Sequence, residues 1–287
     1  MSRKTGRASL LGVMGAALAL AGCGGDTVGP NTAQTFTVFG YLYVGETIDA
    51  ANAIHVARVQ PIATVYDPAA AAVSNAIVTL SRAGAPADTL DLVAPGAYAD
   101  SAIVVVSQTT YRLRIEIPGE SALTAATTTP VAVEITGGPP ELPQTVRHDV
   151  LQDAFPVLVR CDDPDQILLT DVYCLEDWHD ARYIASIGPR DKPESYDEYG
   201  GDNREPRHIF AFFRADDVVR EGDQSLINFY GAMMAFYGRY QVHISSIDAN
   251  VYDFLYKDHP EENGGIVGGI GVFGSACRRS WNVEVTP

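Results

Sequence analysis

The sequence predicts a mainly β protein: an N-terminal immunoglobulin-like β-sandwich, then a second β-rich domain with one or two short helices. Short runs rich in β-branched and aromatic residues recur along the chain, and Pro and Gly turn signals separate them. The chain has 287 residues, 46% of them hydrophobic, which is enough for one large domain or two ordinary ones.

Five runs in the first half are predicted to be strands of the sandwich, which we place at residues 36–136. The last run alternates apolar and charged side chains, the period-two pattern of a half-buried strand. Several short strands with regular turns between them are typical of a sandwich. The predicted strands lie at residues 36–44, 53–59, 76–80, 103–106 and 111–117.

A Gly- and Pro-rich stretch at residues 137–144 predicts a linker, so the second β-rich domain spans residues 145–287. One helix is expected there, because Ser245 and Asp248 fit a capping box and apolar residues then recur at helical spacing. The Gly-rich residues 264–274 are expected to have a structural role. Strands are predicted at residues 154–160, 209–213, 230–242 and 281–285.

The N-terminus predicts export and lipidation. A basic start and a short apolar run precede Leu20-Ala21-Gly22-Cys23, which resembles the bacterial lipobox. Residues 1–22 are then a lipoprotein signal peptide, Cys23 carries the lipid, and residues 23–35 form a flexible tether. Residue 24 is Gly rather than Asp, which by resemblance to known lipoprotein sorting implies the outer membrane, on its cell-surface or periplasmic face. The alternative is an ordinary secretory signal with a chance cysteine.

The charge of the chain argues against a nucleic-acid partner. The formal net charge is -16, and it becomes -19 once the three basic residues of the signal peptide are removed. Nucleic acids and anionic lipid surfaces both require a basic footprint. The acidic balance is therefore typical of a soluble, self-repelling surface.

Three cysteines remain after the signal, and export implies an oxidising compartment. We predict a disulfide between Cys161 and Cys174, and Cys277 with either of them is the alternative. A zinc site built from these thiols and His179 lacks the close spacing of structural zinc sites, so no metal or cofactor is expected.

The richest candidate binding cluster is Asp177, Trp178 and His179, where a ring could stack on a ligand and carboxylates could accept hydrogen bonds. Tyr196 and Tyr199 are further candidates, because aromatic residues are enriched at interfaces. A solvated turn with one packed Trp is the alternative. No catalytic motif is found, so the protein is not expected to be an enzyme.

Several segments together resemble a known family. Residues 242–256 and the glycines of residues 268–274 are similar to the end of an uncharacterised lipoprotein family, the domain of unknown function forty-two forty-nine. Residues 38–42, 76–80, 96–98, 111–115 and 125–130 fit its first half, which also resembles the carboxypeptidase-regulatory-like sandwich. Residues 160–205 depart from the pattern.

This resemblance implies an outer-membrane lipoprotein, often encoded beside a TonB-dependent transporter, and it supplies no catalytic residues. The expected function is therefore a non-catalytic binding or accessory role that partners such a transporter in nutrient capture. The alternatives are a structural envelope lipoprotein without a small-molecule ligand and, less favoured, a secreted hydrolase that uses a carboxylate pair.

Overall fold

The computed structural model describes most of the chain from Phe36 onward. The described residues are 36–60, 65–137, 145–147, 155–160, 163, 166–176, 182, 208–214, 219–221, 224–229, 234 and 236–287. Residues from Gln34 to Pro287 form one compact unit.

Eight strands and one short helix are described before residue 130. The alternation predicted over residues 111–117 is confirmed, because Tyr111, Leu113 and Ile115 are buried while Arg112 and Arg114 between them are exposed. The elements are β1 (Phe36–Tyr43), β2 (Thr47–Ile48), β3 (Ile54–Arg58), α1 (Pro68–Ala71), β4 (Ile77–Arg82), β5 (Asp88–Ala94), β6 (Ala97–Val104), β7 (Thr110–Glu116) and β8 (Leu123–Thr128).

Ten strands and two short helices follow in the rest of the described chain. The prediction of a mainly β protein with few short helices is therefore confirmed. The elements are β9 (Glu134–Gly137), β10 (Thr145–Arg147), β11 (Phe155–Arg160), β12 (Ile167–Cys174), β13 (His208–Arg214), β14 (Val219–Glu221), β15 (Gln224–Phe229), β16 (Gly238–Ile247), α2 (Ala249–Tyr256), α3 (Pro260–Asn263), β17 (Ile266–Val267) and β18 (Ile270–Thr286).

Most strands belong to one large mixed sheet in which β18, the longest strand, is interior. Its residues 270–276 run parallel to β1, and its residues 276–285 run antiparallel to β16. The order is β13-β12-β16-β18-β1-β3-β6-β5-β4-β7-β8-β17, with β10 paired to β18 and β2 to β6. A smaller sheet has the order β14-β15-β11-β9.

A Gly-rich segment connects the two ends of the strand set β1 to β8. β17 pairs with β8 and β18 pairs with β1, and only residues 268–269 separate β17 from β18. The set therefore curls around a shared apolar interior. Leu42, Tyr98 and Leu113 lie in that core, and Phe273 of β18 completes it.

The two predicted regions contribute to the same sheet, because β1 lies in the first and β18 in the second. The predicted linker overlaps β9 only at Gly137, and its residues 138–144 lie outside the described residues. The division into two domains stays a prediction. Strands from both predicted regions belong to one continuous sheet.

Two sequence predictions for the second region need correction, and one predicted strand is confirmed but longer than expected. Ser245 does not cap a helix, since it lies in β16 and pairs with Leu169 and Arg278. The predicted strand at residues 230–242 overlaps β16 from Gly238 onward, and residues 230–233 and 235 lie outside the described residues. The strand predicted at residues 281–285 is the end of the much longer β18, whose glycines obscured its start.

Candidate binding site

A cleft of about 600 Å³ lies beside the start of α2. Its volume falls within the range of small-molecule sites. One wall is the end of β8 with the residues that follow it, and the other is the start of α2 with the start of β12. The cleft is lined by Gln108, Ala126, Thr127, Thr128, Thr129, Pro130, Val131, Asp163, Gln166, Ile167, Ile247, Asp248, Ala249 and Asn250.

Asp248 begins α2 and fixes its position against the cleft. Its backbone is extended, and one carboxylate oxygen accepts a hydrogen bond from the backbone N–H of Val251 at 3.0 Å. Asp is among the residues that best satisfy the unpaired N–H groups of a first helical turn. The helix therefore starts where β16 ends, at a local signal in the sequence.

The same carboxylate joins α2 to two strands. It accepts a hydrogen bond from the backbone N–H of Ser275 in β18 at 3.2 Å and another from the hydroxyl of Thr127 in β8. The backbone N–H of Asp248 donates to the carbonyl of Ser275 at 3.0 Å, and the Thr127 and Ser275 hydroxyls lie 2.7 Å apart. One side chain thus holds three elements together under the cleft.

Burial raises the pKa of the Asp248 carboxyl above its ordinary value of 3.8. The hydrogen bonds from Thr127, Val251, Ser275 and Asn250 oppose that shift, because they stabilise the charged form. A raised pKa means that the folded protein holds this proton to higher pH than the unfolded chain does.

The raised pKa of Asp248 makes the stability of the protein depend on pH. Asp248 contributes stability that is fully present below pH 3.8 and is lost as the pH rises through the folded-state pKa. We expect the unfolding free energy of the wild type, relative to that of Asp248→Asn, to fall as the pH is raised from about pH 3 to about pH 7. Urea denaturation along this series measures it. A difference that instead grows in favour of the wild type would mean that the hydrogen bonds outweigh burial.

Two amide side chains line the cleft with their nitrogens already engaged. Asn250 Nδ2 donates to the carbonyls of Ala126 at 2.7 Å and Phe273 at 2.8 Å. Gln166 Nε2 donates to the carbonyl of Ile247 at 2.8 Å. These bonds orient both side chains rigidly, so their carbonyl oxygens have defined positions.

Three amide side chains of the cleft have polar atoms left to meet a ligand. Among the described residues, no hydrogen-bond partner is found for the side-chain oxygens of Asn250 and Gln166 or for the exposed side-chain amide of Gln108. The cleft also contains the carboxylates of Asp163 and Asp248. Such a lining suits a hydrogen-bonding ligand without negative charge.

The structure does not describe the residues that the sequence singled out as lipidation or binding sites. The lipidation candidate Cys23 and the binding candidates Asp177, Trp178, His179, Tyr196 and Tyr199 are all outside the described residues. Their predicted roles stay predictions. The cleft residues were not predicted as a site, because amides and hydroxyls spread over distant segments have no spacing to recognise. The only local signal was Asp248 ahead of a helical pattern.

The predicted Cys161–Cys174 disulfide also stays a prediction, since Cys161 is outside the described residues. The alternative of Cys174 with Cys277 is excluded by register. Cys174 pairs with Tyr240 of β16, whereas Cys277 pairs with Ser246 of the same strand. Six strand positions span roughly 20 Å, and a disulfide requires Cα atoms within about 7 Å.

The described part of the chain contains neither a cluster of metal ligands nor a membrane-spanning helix. No group of three or more His, Cys, Asp or Glu residues there is placed to hold a metal ion. No helix in the same ranges is long and apolar enough to cross a membrane.

Known proteins provide one informative comparison. A family model described as Domain of unknown function (DUF4249) matches residues 32–275. None of the curated proteins matches the chain.

Two solved structures are similar only at a distant level. One is described as "Structural insight into host cell surface retention of a 1.5-MDa bacterial ice-binding adhesin", with 10% identity, a TM-score of 0.21, and coverage of 88% of this chain and 65% of that one. The other is a segment of two fibronectin type III domains from chicken tenascin, with 10% identity, a TM-score of 0.18, and coverage of 88% and 98%. This chain thus spans about two thirds of the adhesin chain, and neither similarity bears on function.

Proposed function

The chain belongs to the family of the domain of unknown function DUF4249, and on that premise we propose that it is a lipid-anchored outer-membrane protein that binds a ligand without catalysis. In this proposal it assists a TonB-dependent transporter in nutrient capture. The observation that carries the binding role is the cleft beside α2.

The cleft supports binding because its polar groups are held in place before any ligand arrives. Asp248 fixes the start of α2 against β8 and β18, and Asn250 and Gln166 are oriented by hydrogen bonds to backbone carbonyls. Preorganised groups bind more tightly, since less conformational freedom is lost on association. The amide groups and the two carboxylates of the lining favour a polar ligand without negative charge.

The anchoring half of the proposal depends on the sequence around Cys23. A basic start, an apolar run and Leu-Ala-Gly-Cys occur in the order that lipidation requires. Several acyl chains on one cysteine give stable membrane attachment, whereas a single chain holds only marginally.

We expect Cys23→Ser to release the protein from the membrane fraction. Fractionation of cells expressing the full chain, followed by immunoblotting, measures the change. Gly25→Ala, two residues further along, is the control and should remain in the membrane fraction. Retention of the Cys23→Ser protein in outer membranes would contradict lipid anchoring at this residue.

The accessory role is tested by co-purification of the tagged, lipidated protein from its native membranes in mild detergent. We expect an outer-membrane transporter to follow it in stoichiometric amounts, as identified by mass spectrometry. A protein that emerges alone would contradict the transporter partnership and leave the structural envelope role.

The cleft itself is tested by filling it. Thr128 is exposed at the end of β8 and lines the cleft, so Thr128→Trp should block it, while Thr89→Trp on exposed β5 is the matched control. We expect Thr128→Trp alone to lose any small molecule that co-purifies with the wild type, as measured by mass spectrometry of the denatured eluate. Equal retention by both variants would place the ligand outside the cleft.

A further inference from the structure

A second pocket, of about 310 Å³, lies on the other side of β1 from the core and shares no residue with the cleft beside α2. Aromatic side chains form its floor, and an arginine stands at one end. Its principal lining residues are Phe39, Tyr41, Tyr43, Asn52, His55 and Arg278.

The aromatic floor follows from the alternation of β1. Val38 and Leu42 point into the core and are fully buried, so Phe39, Tyr41 and Tyr43 project to the opposite face. On this face Tyr41 and Tyr43 pack in part against a buried cluster of Leu169, Ile247, Val251 and Ala276. The ring centres of Phe39 and Phe254 in α2 are 5.9 Å apart in a T-shaped arrangement, yet Phe39 remains 42% exposed. Apolar surface of this kind in the middle of a sheet is stabilised when a ligand covers it.

Arg278 points to the same face. In the parallel register of β1 and β18, Tyr43 pairs with Ala276, and Arg278 is two residues further along β18. Its guanidinium lies 4.1 Å from the centre of the Tyr43 ring. Stacking on an aromatic face is a geometry that arginine favours.

An ion pair holds the guanidinium from a second direction. Arg278 Nη2 donates to Glu46 Oε1 at 2.9 Å, and the other oxygen of Glu46 accepts from Asn52 Nδ2 at 3.1 Å. An arginine carries five N–H donors, and within the described residues Arg278 directs one of them at a side-chain partner. The remaining donors are therefore fixed in space and available to a ligand.

The charges around the pocket disfavour a ligand with several negative charges. Glu46 balances Arg278. Burial raises the pKa of the Tyr43 hydroxyl, and the nearby Asp171 carboxylate also raises it. The chain carries a net charge of -16, so a polyanion would be repelled. A single carboxylate matches the flat edge of a guanidinium and can form paired hydrogen bonds with it. The volume of the pocket lies at the small end of ligand sites.

We propose that this pocket binds a small monocarboxylate that carries an aromatic or apolar body. The carboxylate meets Arg278, and the body lies on the rings of Tyr41 and Phe39. The ring centres of Tyr41 and Tyr43 are 6.4 Å apart, so a body two or three bonds from the carboxylate reaches the floor.

The test uses 3-phenylpropionate as the probe in isothermal titration calorimetry on the full chain carrying Cys23→Ser. We expect saturable binding of the acid. The neutral amide of the same acid should bind more weakly by a factor of about ten or more. Arg278→Gln should weaken binding of the acid by about tenfold or more, because it removes the charge and the paired donors. Arg279→Gln, at the exposed neighbouring position, is the matched control and should bind as the parent does.

Three results would overturn the proposal: no binding of the acid, equal binding of acid and amide, or unchanged affinity in Arg278→Gln. A thermal melt establishes that the Arg278→Gln protein is folded. If that variant does not fold, the comparison of acid and amide on the parent protein still decides the question.

Discussion

Replacement of Gly271 with alanine is expected to lower the free energy of unfolding by about 4 kcal/mol, which is at the upper end for a single substitution. Gly271 pairs with Val38 at the parallel junction of β18 and β1. Its φ is +115°, and an added Cβ would overlap the backbone carbonyl oxygen of Val38. A backbone atom within a sheet cannot move away without breaking the pairing.

The matched control is Gly119→Ala. Gly119 also has a positive φ, +83°, but nothing lies within 4 Å of the position of its Cβ. The free energy of unfolding of Gly119→Ala should therefore fall by only about 1 kcal/mol, which is the cost of a left-handed alanine. Urea denaturation of both variants, followed by circular dichroism, measures the difference. Equal losses would show that the β1–β18 junction is loose enough to accept a side chain.

Asp248→Ala is expected to lower the free energy of unfolding by about 3 kcal/mol, because it removes a helix cap and the acceptor for donors on buried residues. The donors left behind are the backbone N–H groups of Val251 and Ser275 and the hydroxyl of Thr127. Chemical denaturation measures this loss. Asp248→Asn keeps one acceptor oxygen and should lose less.

Asp253→Ala, on the same helix, provides the control for Asp248→Ala. Asp253 forms an exposed i,i+4 ion pair with Lys257 at 2.6 Å, and such pairs contribute at most about 0.5 kcal/mol. Similar losses in Asp248→Ala and Asp253→Ala would mean that the carboxylate of Asp248 does not join the three elements.

The fold was predictable from the sequence where a strand has one buried face. The alternation of residues 111–117 predicts β7 because one face lies on the core and the other in solvent. β18 was not recognised as one strand, since its first part contains Gly271 and Gly274, which contact other backbone or helix atoms where side chains would not fit. Its pairing with β1 is a long-range contact that no local pattern encodes.

The family was predictable, whereas the described sites were not. The resemblance to the domain of unknown function family, seen in the Gly-rich segment and in motifs of the first half, is confirmed. The similarity of the first region to a carboxypeptidase-regulatory-like sandwich stays a prediction. Thr127 and Asp248 lie far apart in sequence and meet only because β17 and β18 return to β8 and β1.

The position of β18 has a consequence for the order in which the protein folds. Thr37 and Ile270 pair although they are roughly 230 residues apart, and contacts this distant in sequence slow folding. During synthesis, β1 is made first among the described strands, but its neighbour β18 leaves the ribosome last. A chain cut or stopped before residue 270 would leave β1 and β16 as unprotected edges at the same time, the condition under which strands pair with other molecules and aggregate.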